Sequence, residues 1–247
     1  MSLPCPEAAR FVSQLGFDWL TVDTEHQPID IRMAAHMFAA VAASGSVPLA
    51  RVPWNTGEAI KRVLDCGAWG IVVPMVNTRE EAEAAVAAAK YPPVGTRSVG
   101  GVLHAASFGT EAATYYARAN DEILVAIQAE SVAAVENAEQ ILSVPGIDAV
   151  FIGPNDLLAS MGRSPGMESD EPEFVQALER LVRTAKQNGV APGIHVADAE
   201  AANRRIREGF QFVAIASDLR FMLAGARREL GGTDWAGEKP AGEVARY

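Results

Sequence analysis

The chain reads as an α/β protein, a parallel (β/α)8 barrel of the TIM type without its first strand. Three observations predict this. Short β-branched and aliphatic runs alternate with Ala- and Glu-rich amphipathic stretches along the sequence, the pattern of repeated βαβ units. Several of the runs are continuously hydrophobic, so both of their faces need cover, as in a parallel sheet between helices. The strand candidates number seven, and a helix precedes the first of them, whereas a closed barrel needs eight strands. An open doubly wound sheet is the competing architecture, but no early strand runs into a GxGxxG turn.

The elements follow in order. An amphipathic helix over 6–15 leads to the strand 19–22, and the Ala-rich helix 29–43 leads to 49–52. The helix 57–66 precedes the apolar run 70–76, and the Ala/Glu-rich helix 79–90 precedes the strand 124–129 after a long unassigned stretch. Helices over 132–142 and 172–188 flank the strand 149–152. The strand 193–196, the helix 199–208, the strand 212–216 and the helix 219–230 complete the pattern.

Composition bounds the rest. The 247 residues, 49% hydrophobic with 21 Gly and 14 Pro, fit one barrel domain over 1–247 with a core that needs no disulfides. Cys5 and Cys66 form neither a CxxC nor a disulfide framework and suit a reducing cytosol. A formal charge of -10 argues against nucleic acid and anionic membranes as partners. No apolar run reaches the length of a membrane span; the longest, near 34–43, is broken by His36. The opening MSLPCPEAAR lacks the basic and apolar regions of a signal peptide, and a cytoplasmic location is expected.

In a barrel the chemistry sits where strands end and loops begin. The strand ends supply Asp23-Thr24-Glu25-His26, Arg51, Gln128 with Glu130, Asn155-Asp156, His195 with Asp198, and Ser217-Asp218. Gln128 and Glu130 are two apart and share one side of a strand. A buried acid there requires either a partner arginine or a metal ion. With Asp156 one strand over, the metal reading comes first, although Asp156 alone reads as an acid in a first helical turn. Two carboxylates with open positions suit Mg²⁺ or Mn²⁺, with Co²⁺ or Zn²⁺ less favoured. His26 is the candidate base. His195 is a reserve candidate, His36 reads as helix packing, and His104 falls in the loop 100–108. Arg51 reads as a partner for Asp23 or Glu25, or as a fork for a substrate carboxylate. Asp65 reads as an ordinary acid near a helix end. The four lysines, Lys61, Lys90, Lys186 and Lys239, all miss the strands, which excludes a Schiff-base aldolase.

At these residues a resemblance emerges. The runs Gly16-Phe17-Asp18-Trp19-Leu20, Asp23-Thr24-Glu25-His26, Arg51-Val52-Pro53-Trp54-Asn55 and Val73-Pro74-Met75-Val76 resemble the HpcH/HpaI family of metal-dependent pyruvate aldolases. So do Tyr91-Pro92-Pro93-Val94-Gly95-Thr96-Arg97, Gln128-Ala129-Glu130-Ser131 and Phe151-Ile152-Gly153-Pro154-Asn155-Asp156-Leu157. The resemblance implies that Glu130 and Asp156 bind the metal. It implies that Gln128, Asp156 and the backbone around Asn155 hold the pyruvate part, and that Arg51 stabilises an enolate. His26 would be the base, supported by Asp65, which in such enzymes can come from a neighbouring subunit. Thr24, Ala129, Asn155 and His195 depart from the family's usual residues and bear on substrate choice.

The implied reaction is reversible cleavage of a 4-hydroxy-2-oxoacid, of the 2-keto-3-deoxy sugar acid or 4-hydroxy-2-oxo-diacid type, to pyruvate and an aldehyde. The partners expected are those small molecules and further copies of the chain, a hexamer or trimer of dimers. A citrate-lyase or malyl-coenzyme A type lyase is the alternative enzyme, and a catalytically impaired barrel used for binding or assembly is the alternative outside catalysis. The loops 100–110 and 163–172 are expected to set the aldehyde preference.

Overall fold

Seven parallel strands follow one another in sequence order around a curled sheet. They are β1 (Trp19–Asp23), β2 (Val47–Arg51), β3 (Gly70–Val73), β4 (Leu124–Ala129), β5 (Ala149–Ile152), β6 (Ala191–Val196) and β7 (Phe212–Ile215). The computed structural model describes residues 1–234. The helices are α1 (Pro6–Ser13), α2 (Ile31–Ala42), α3 (Gly57–Asp65), α4 (Arg79–Ala89), α5 (Leu103–Ser107) and α6 (Ala112–Glu122). After β4 come α7 (Val132–Glu136), α8 (Ala138–Leu142), α9 (Pro154–Ser160), α10 (Pro172–Gln187), α11 (Ala199–Glu208) and α12 (Asp218–Gly231).

Side-chain alternation explains why the strands read as unbroken apolar runs. Val22, Ala50, Ile71, Ile127, Val150 and Ile194 point outward and pack with the helices in the main core. Their neighbours Leu49, Val72, Ala126, Ala149 and Phe212 point inward and form a separate cluster inside the barrel. Helix starts are fixed where the strands end. Asp30, Thr56, Thr78, Ser131, Asp198 and Ser217 each accept a backbone N–H in the first turn that follows, satisfying donors the helix leaves free.

Between β7 and β1 no strand ladder forms among the described residues. The architecture is thus a TIM-type barrel lacking one strand, as the sequence predicts. Trp19 bridges this seam by stacking on Phe212 at 4.2 Å between ring centroids, and Phe151 of β5 meets Phe212 edge-on at 5.8 Å inside the barrel. At its upper end the Met1 amine donates to Thr21 O at 2.5 Å and Asp23 N–H donates to Met1 O at 3.2 Å, a parallel bridge beside Val22. Ser2 and Leu3 N–H then donate to the Asp218 carboxylate at 2.6 and 3.1 Å.

Several local expectations change. The helix expected over 132–142 is two helices that meet at Asn137. Helices α5 and α6 escaped the sequence reading, and α9 was foreseen only as a first helical turn at Asp156. α9 spans only 7 residues, and α6 buries just Tyr115 and Ala119, too few to create a periodic apolar stripe. His36 is exposed on α2 rather than packed. His104 lies on α5, buried against Tyr115 and Tyr116. Lys90 is buried and donates to the Asn120 and Ile123 carbonyls near the end of α6; Lys239 lies outside the described residues. The segment 100–110 belongs to the connection from α4 to β4, with α5 packed on α2 and α3. It lies at the amino ends of the strands, away from the expected mouth.

Candidate active site

The mouth is built from β1, β2, β4 and β5 at their carboxyl ends. Asp23 and Arg51 close the first strand pair in register. Arg51 binds Asp23 through Nε–Oδ1 at 3.0 Å and Nη2–Oδ2 at 2.6 Å, and its Nε lies 3.3 Å from Glu25 Oε2. Burial opposes the Asp23 charge, but the Arg51 hydrogen bond and charge outweigh it and hold the carboxyl below its ordinary value. Arg51 loses solvation as well, yet Asp23 and Glu25 raise its pKa further. Thr24 ties the next loop down: its N–H and its hydroxyl both donate to Arg51 O, at 3.0 and 2.6 Å. That loop presents His26 with 60% of its side chain exposed, Nε2 lying 3.6 Å from Glu25 Oε2. The partner role foreseen for Arg51 is therefore realised, and the same fork faces the mouth.

Opposite stands Glu130, just past β4 and only 4% exposed. Met75 N–H donates to its Oε1 at 2.8 Å, from a backbone held at φ 55°. Gln128 Nε2 donates to its Oε2 at 2.5 Å. Burial pushes the Glu130 carboxyl up to about 7; the Met75 N–H opposes this, and the Asp156 and Glu25 charges add to it. Glu25 is raised too, by burial first, with Arg51 and His26 opposing and Asp23 and Asp156 adding. Gly153 permits this approach: a Cβ there would lie 2.5 Å from Glu130 Oε2. Asp156 is exposed in the first turn of α9. Asn155 beside it donates to Met167 Sδ at 3.4 Å, which brings the 163–172 loop to the rim of the mouth.

The Asp156 charge thus adds to the energy of both the Glu25 and the Glu130 carboxylates, with Arg51 as the cation that opposes it. Gln128 Oε1 is buried with no hydrogen-bond partner. A divalent cation between Glu130 and Asp156 would answer this charge imbalance. Among the described residues no group of three or more His, Cys, Asp or Glu side chains surrounds one point. The fit is therefore to an ion that takes one or two carboxylates and fills its other positions with water and substrate, as Mg²⁺ does.

Not every strand-end acid faces this mouth. Asp198 caps α11 through Ala201 N–H at 2.9 Å, and Asp218 holds Ser2 and Leu3; both are structural. Asp65 is also apart from His26 within one chain. It ends α3, the helix that returns to the amino end of β3, and its Oδ1 accepts from the buried Arg97 at 2.7 Å. Two contributors were missed as site residues, Met75 and Gly153, while Asp23 and Glu25 were foreseen only as strand-end groups and partners for Arg51. Gly153 carried a signal, as a glycine directly after a strand; the Met75 N–H carried none, since a backbone donor leaves no trace in residue type.

Residues 2–224 match the family described as HpcH/HpaI aldolase/citrate lyase. The chain belongs to this family. A 4-hydroxy-2-oxo-heptane-1,7-dioate aldolase of Klebsiella pneumoniae subsp. pneumoniae is 41% identical over 219 residues, covering 89% of this chain and 82% of that protein. A crystal structure of an HpcH/HpaI aldolase/citrate lyase family protein from Burkholderia cenocepacia J2315 matches with a TM-score of 0.87 at 35% identity, over 93% of this chain and 91% of that one. The HpcH/HpaI aldolase from Desulfitobacterium hafniense DCB-2 matches at 0.85 and 30%, over 96% and 92%. No helix among the described residues is long and apolar enough to cross a membrane.

Proposed function

We propose that this HpcH/HpaI family member is a divalent-metal-dependent aldolase that reversibly cleaves a 4-hydroxy-2-oxoacid to pyruvate and an aldehyde. The observation that carries the reading is the buried Glu130, oriented by Met75 N–H and Gln128, facing Asp156 across a mouth that also holds Arg51. The curated relatives favour a 4-hydroxy-2-oxo-diacid over a 2-keto-3-deoxy sugar acid as substrate.

Glu130 and Asp156 would hold Mg²⁺ or Mn²⁺. Bound there, the ion would supply Lewis acidity to the 2-oxo group. Gln128 and the backbone at Asn155 orient the pyruvate half. His26, exposed at the rim, takes the proton from the C4 hydroxyl, directly or through a water. The C3–C4 bond then breaks, the aldehyde leaves, and negative charge develops on the enolate of the pyruvate half. Arg51, fixed by Asp23, stabilises that charge without having to reorganise. The His26 base gains its supporting acid from Asp65 of a second copy in a homo-oligomer.

The coenzyme A alternative needs free basic groups for the coenzyme's phosphates. Arg204 and Arg205 are engaged by Glu168, and Arg228 by Glu229. The inert-scaffold alternative gives no reason for a buried acid that costs folding energy.

The test is pyruvate release from 4-hydroxy-2-oxo-heptane-1,7-dioate, coupled to lactate dehydrogenase, with Mn²⁺ or with EDTA. Activity that requires the ion and vanishes in Glu130→Ala and Asp156→Ala is expected. Undiminished release in EDTA would overturn the metal-dependent reading.

A further inference from the structure

The ion pair of Asp65 and Arg97 is lopsided. Asp65 closes α3 and keeps 33% of its side chain in solvent, whereas the Arg97 side chain keeps none. A carboxylate in water needs no cation, and a guanidinium taken wholly out of water loses solvation that one ion pair repays poorly. What the pair gains is direction. Arg97 is held from three sides: Nη2 donates to Asp65 Oδ1 at 2.7 Å, Nη1 donates to the Tyr115 hydroxyl at 3.1 Å, and Cζ stands 4.6 Å from the centroid of the Tyr91 ring. Its backbone is pinned as well, because Thr96 and Arg97 N–H donate to Ala87 O and Lys90 O at 2.7 and 3.0 Å. Gly95 permits this approach, since a Cβ there would lie 2.5 Å from Ala87 O.

A rigid fork thus fixes one oxygen of a surface carboxylate. The other, Oδ2, has no hydrogen-bond partner among the described residues. One clamped oxygen and one open oxygen suit a donor that arrives from outside the chain. In the reading above that donor is the His26 imidazole of a second copy. A fixed acid would set the tautomer of that ring and stabilise it when protonated, and an acid free to swing would do neither.

We propose that Arg97 is a positioning residue: by clamping Asp65 Oδ1 it aims Oδ2 at His26 of a neighbouring copy, so that the base of one mouth depends on an arginine buried in another chain. The inference rests on the Asp65–His26 pairing proposed above and adds the group that makes it rigid.

The experiment follows Mn²⁺-dependent cleavage of 4-hydroxy-2-oxo-heptane-1,7-dioate in the assembled protein. Arg97→Met leaves the chain's own mouth intact, so Mn²⁺ affinity and KM should stay at wild-type values. Its kcat should fall roughly 10²-fold, the scale of a misplacement of about 1 Å. Arg97→Lys, which keeps the charge without the fork, should recover part of that loss. Dissociated and reassembled with His26→Ala, Arg97→Met should regain activity that neither has alone, because its own His26 then meets an Asp65 that is properly held. Reassembled with Asp65→Ala it should regain none, because Arg97 and Asp65 act from the same chain. Recovery in both mixtures, or in neither, overturns the proposal; neither would mark a purely structural arginine. Wild-type kcat in a folded Arg97→Met overturns it too. If Arg97→Met fails to fold, the same two mixtures made with Arg97→Lys decide in the same way. Full activity in Asp65→Ala would remove the pairing itself and the role of Arg97 with it, whereas lost activity there beside an unaffected Arg97→Met would overturn this proposal alone.

Discussion

Arg51 clasps Asp23 through two parallel hydrogen bonds of 3.0 and 2.6 Å, and both residues sit at the end of paired strands. A fork held in this way presents its charge to the mouth in a fixed direction. Asp23→Asn removes half of the pair and leaves Arg51 largely desolvated. The expected loss is about 3 kcal/mol, the lower end of the range for breaking a buried ion pair, read as a drop in the urea midpoint at pH 7. The sign with pH follows from the depressed Asp23 carboxyl. Its contribution is complete above the unfolded value near 3.8 and is lost as pH falls through the lower folded value. Wild-type stability should therefore decline in that acid window more steeply than that of Asp23→Asn. Parallel curves would show that the clasp does not govern acid lability.

Glu130 gives the second prediction. With burial holding its carboxyl up to about 7, a divalent ion must displace a proton in mildly acidic solution. Mn²⁺ affinity should strengthen between pH 6 and 7 by about fivefold, because metal binding releases that proton. At a hundredfold excess over Kd the ion should stabilise the fold by about 2.7 kcal/mol. Glu130→Gln should abolish both effects in calorimetric and thermal unfolding measurements.

Gly153 is the third. Because a Cβ there would stand 2.5 Å from Glu130 Oε2, Gly153→Ala must push the carboxylate off its Met75 and Gln128 donors. Weakened Mn²⁺ binding is expected, with a stability cost of about 1–3 kcal/mol from overpacking. Wild-type metal affinity in a folded Gly153→Ala protein would show that Glu130 is not held by this contact.

The fourth concerns Asp65 and His26, which sit at opposite rims of one chain. His26→Ala and Asp65→Ala should each lose activity, by about 10²–10⁴-fold where the base is removed. Mixed after dissociation and reassembly, the two should regain activity that neither has alone. No recovery in confirmed mixed oligomers would show that Asp65 does not serve another copy's His26.

Most of the barrel was legible because its strands are short, continuous apolar runs bounded by amphipathic helices. The limits of β4, β5 and α11 agree with the reading of periodicity alone. The 100–122 region was not legible. Its helices bury aromatic side chains around Arg97 rather than an aliphatic stripe. In the site, the Gln128/Glu130 spacing announced a shared face, and Asp156 announced itself as an acid one strand over. Asp198 and Asp218 carried the same signal of an acid at a strand end, and composition could not separate caps from site groups. Only the geometry distinguishes an aspartate that binds a helix's first turn from one that looks into a cavity.

The Met75 backbone, held in the left-handed region, carries a strain of about 1–3 kcal/mol for a residue other than glycine. That strain is spent on aiming one N–H at Glu130. In the proposed metal site Glu130 is thereby a fixed jaw, locked before any ion arrives, while the exposed Asp156 opposite is an adjustable one. A vice of this design accommodates cations of unequal radius by moving a single side, so exchange of one ion for another should leave the enclosed half of the pocket undisturbed.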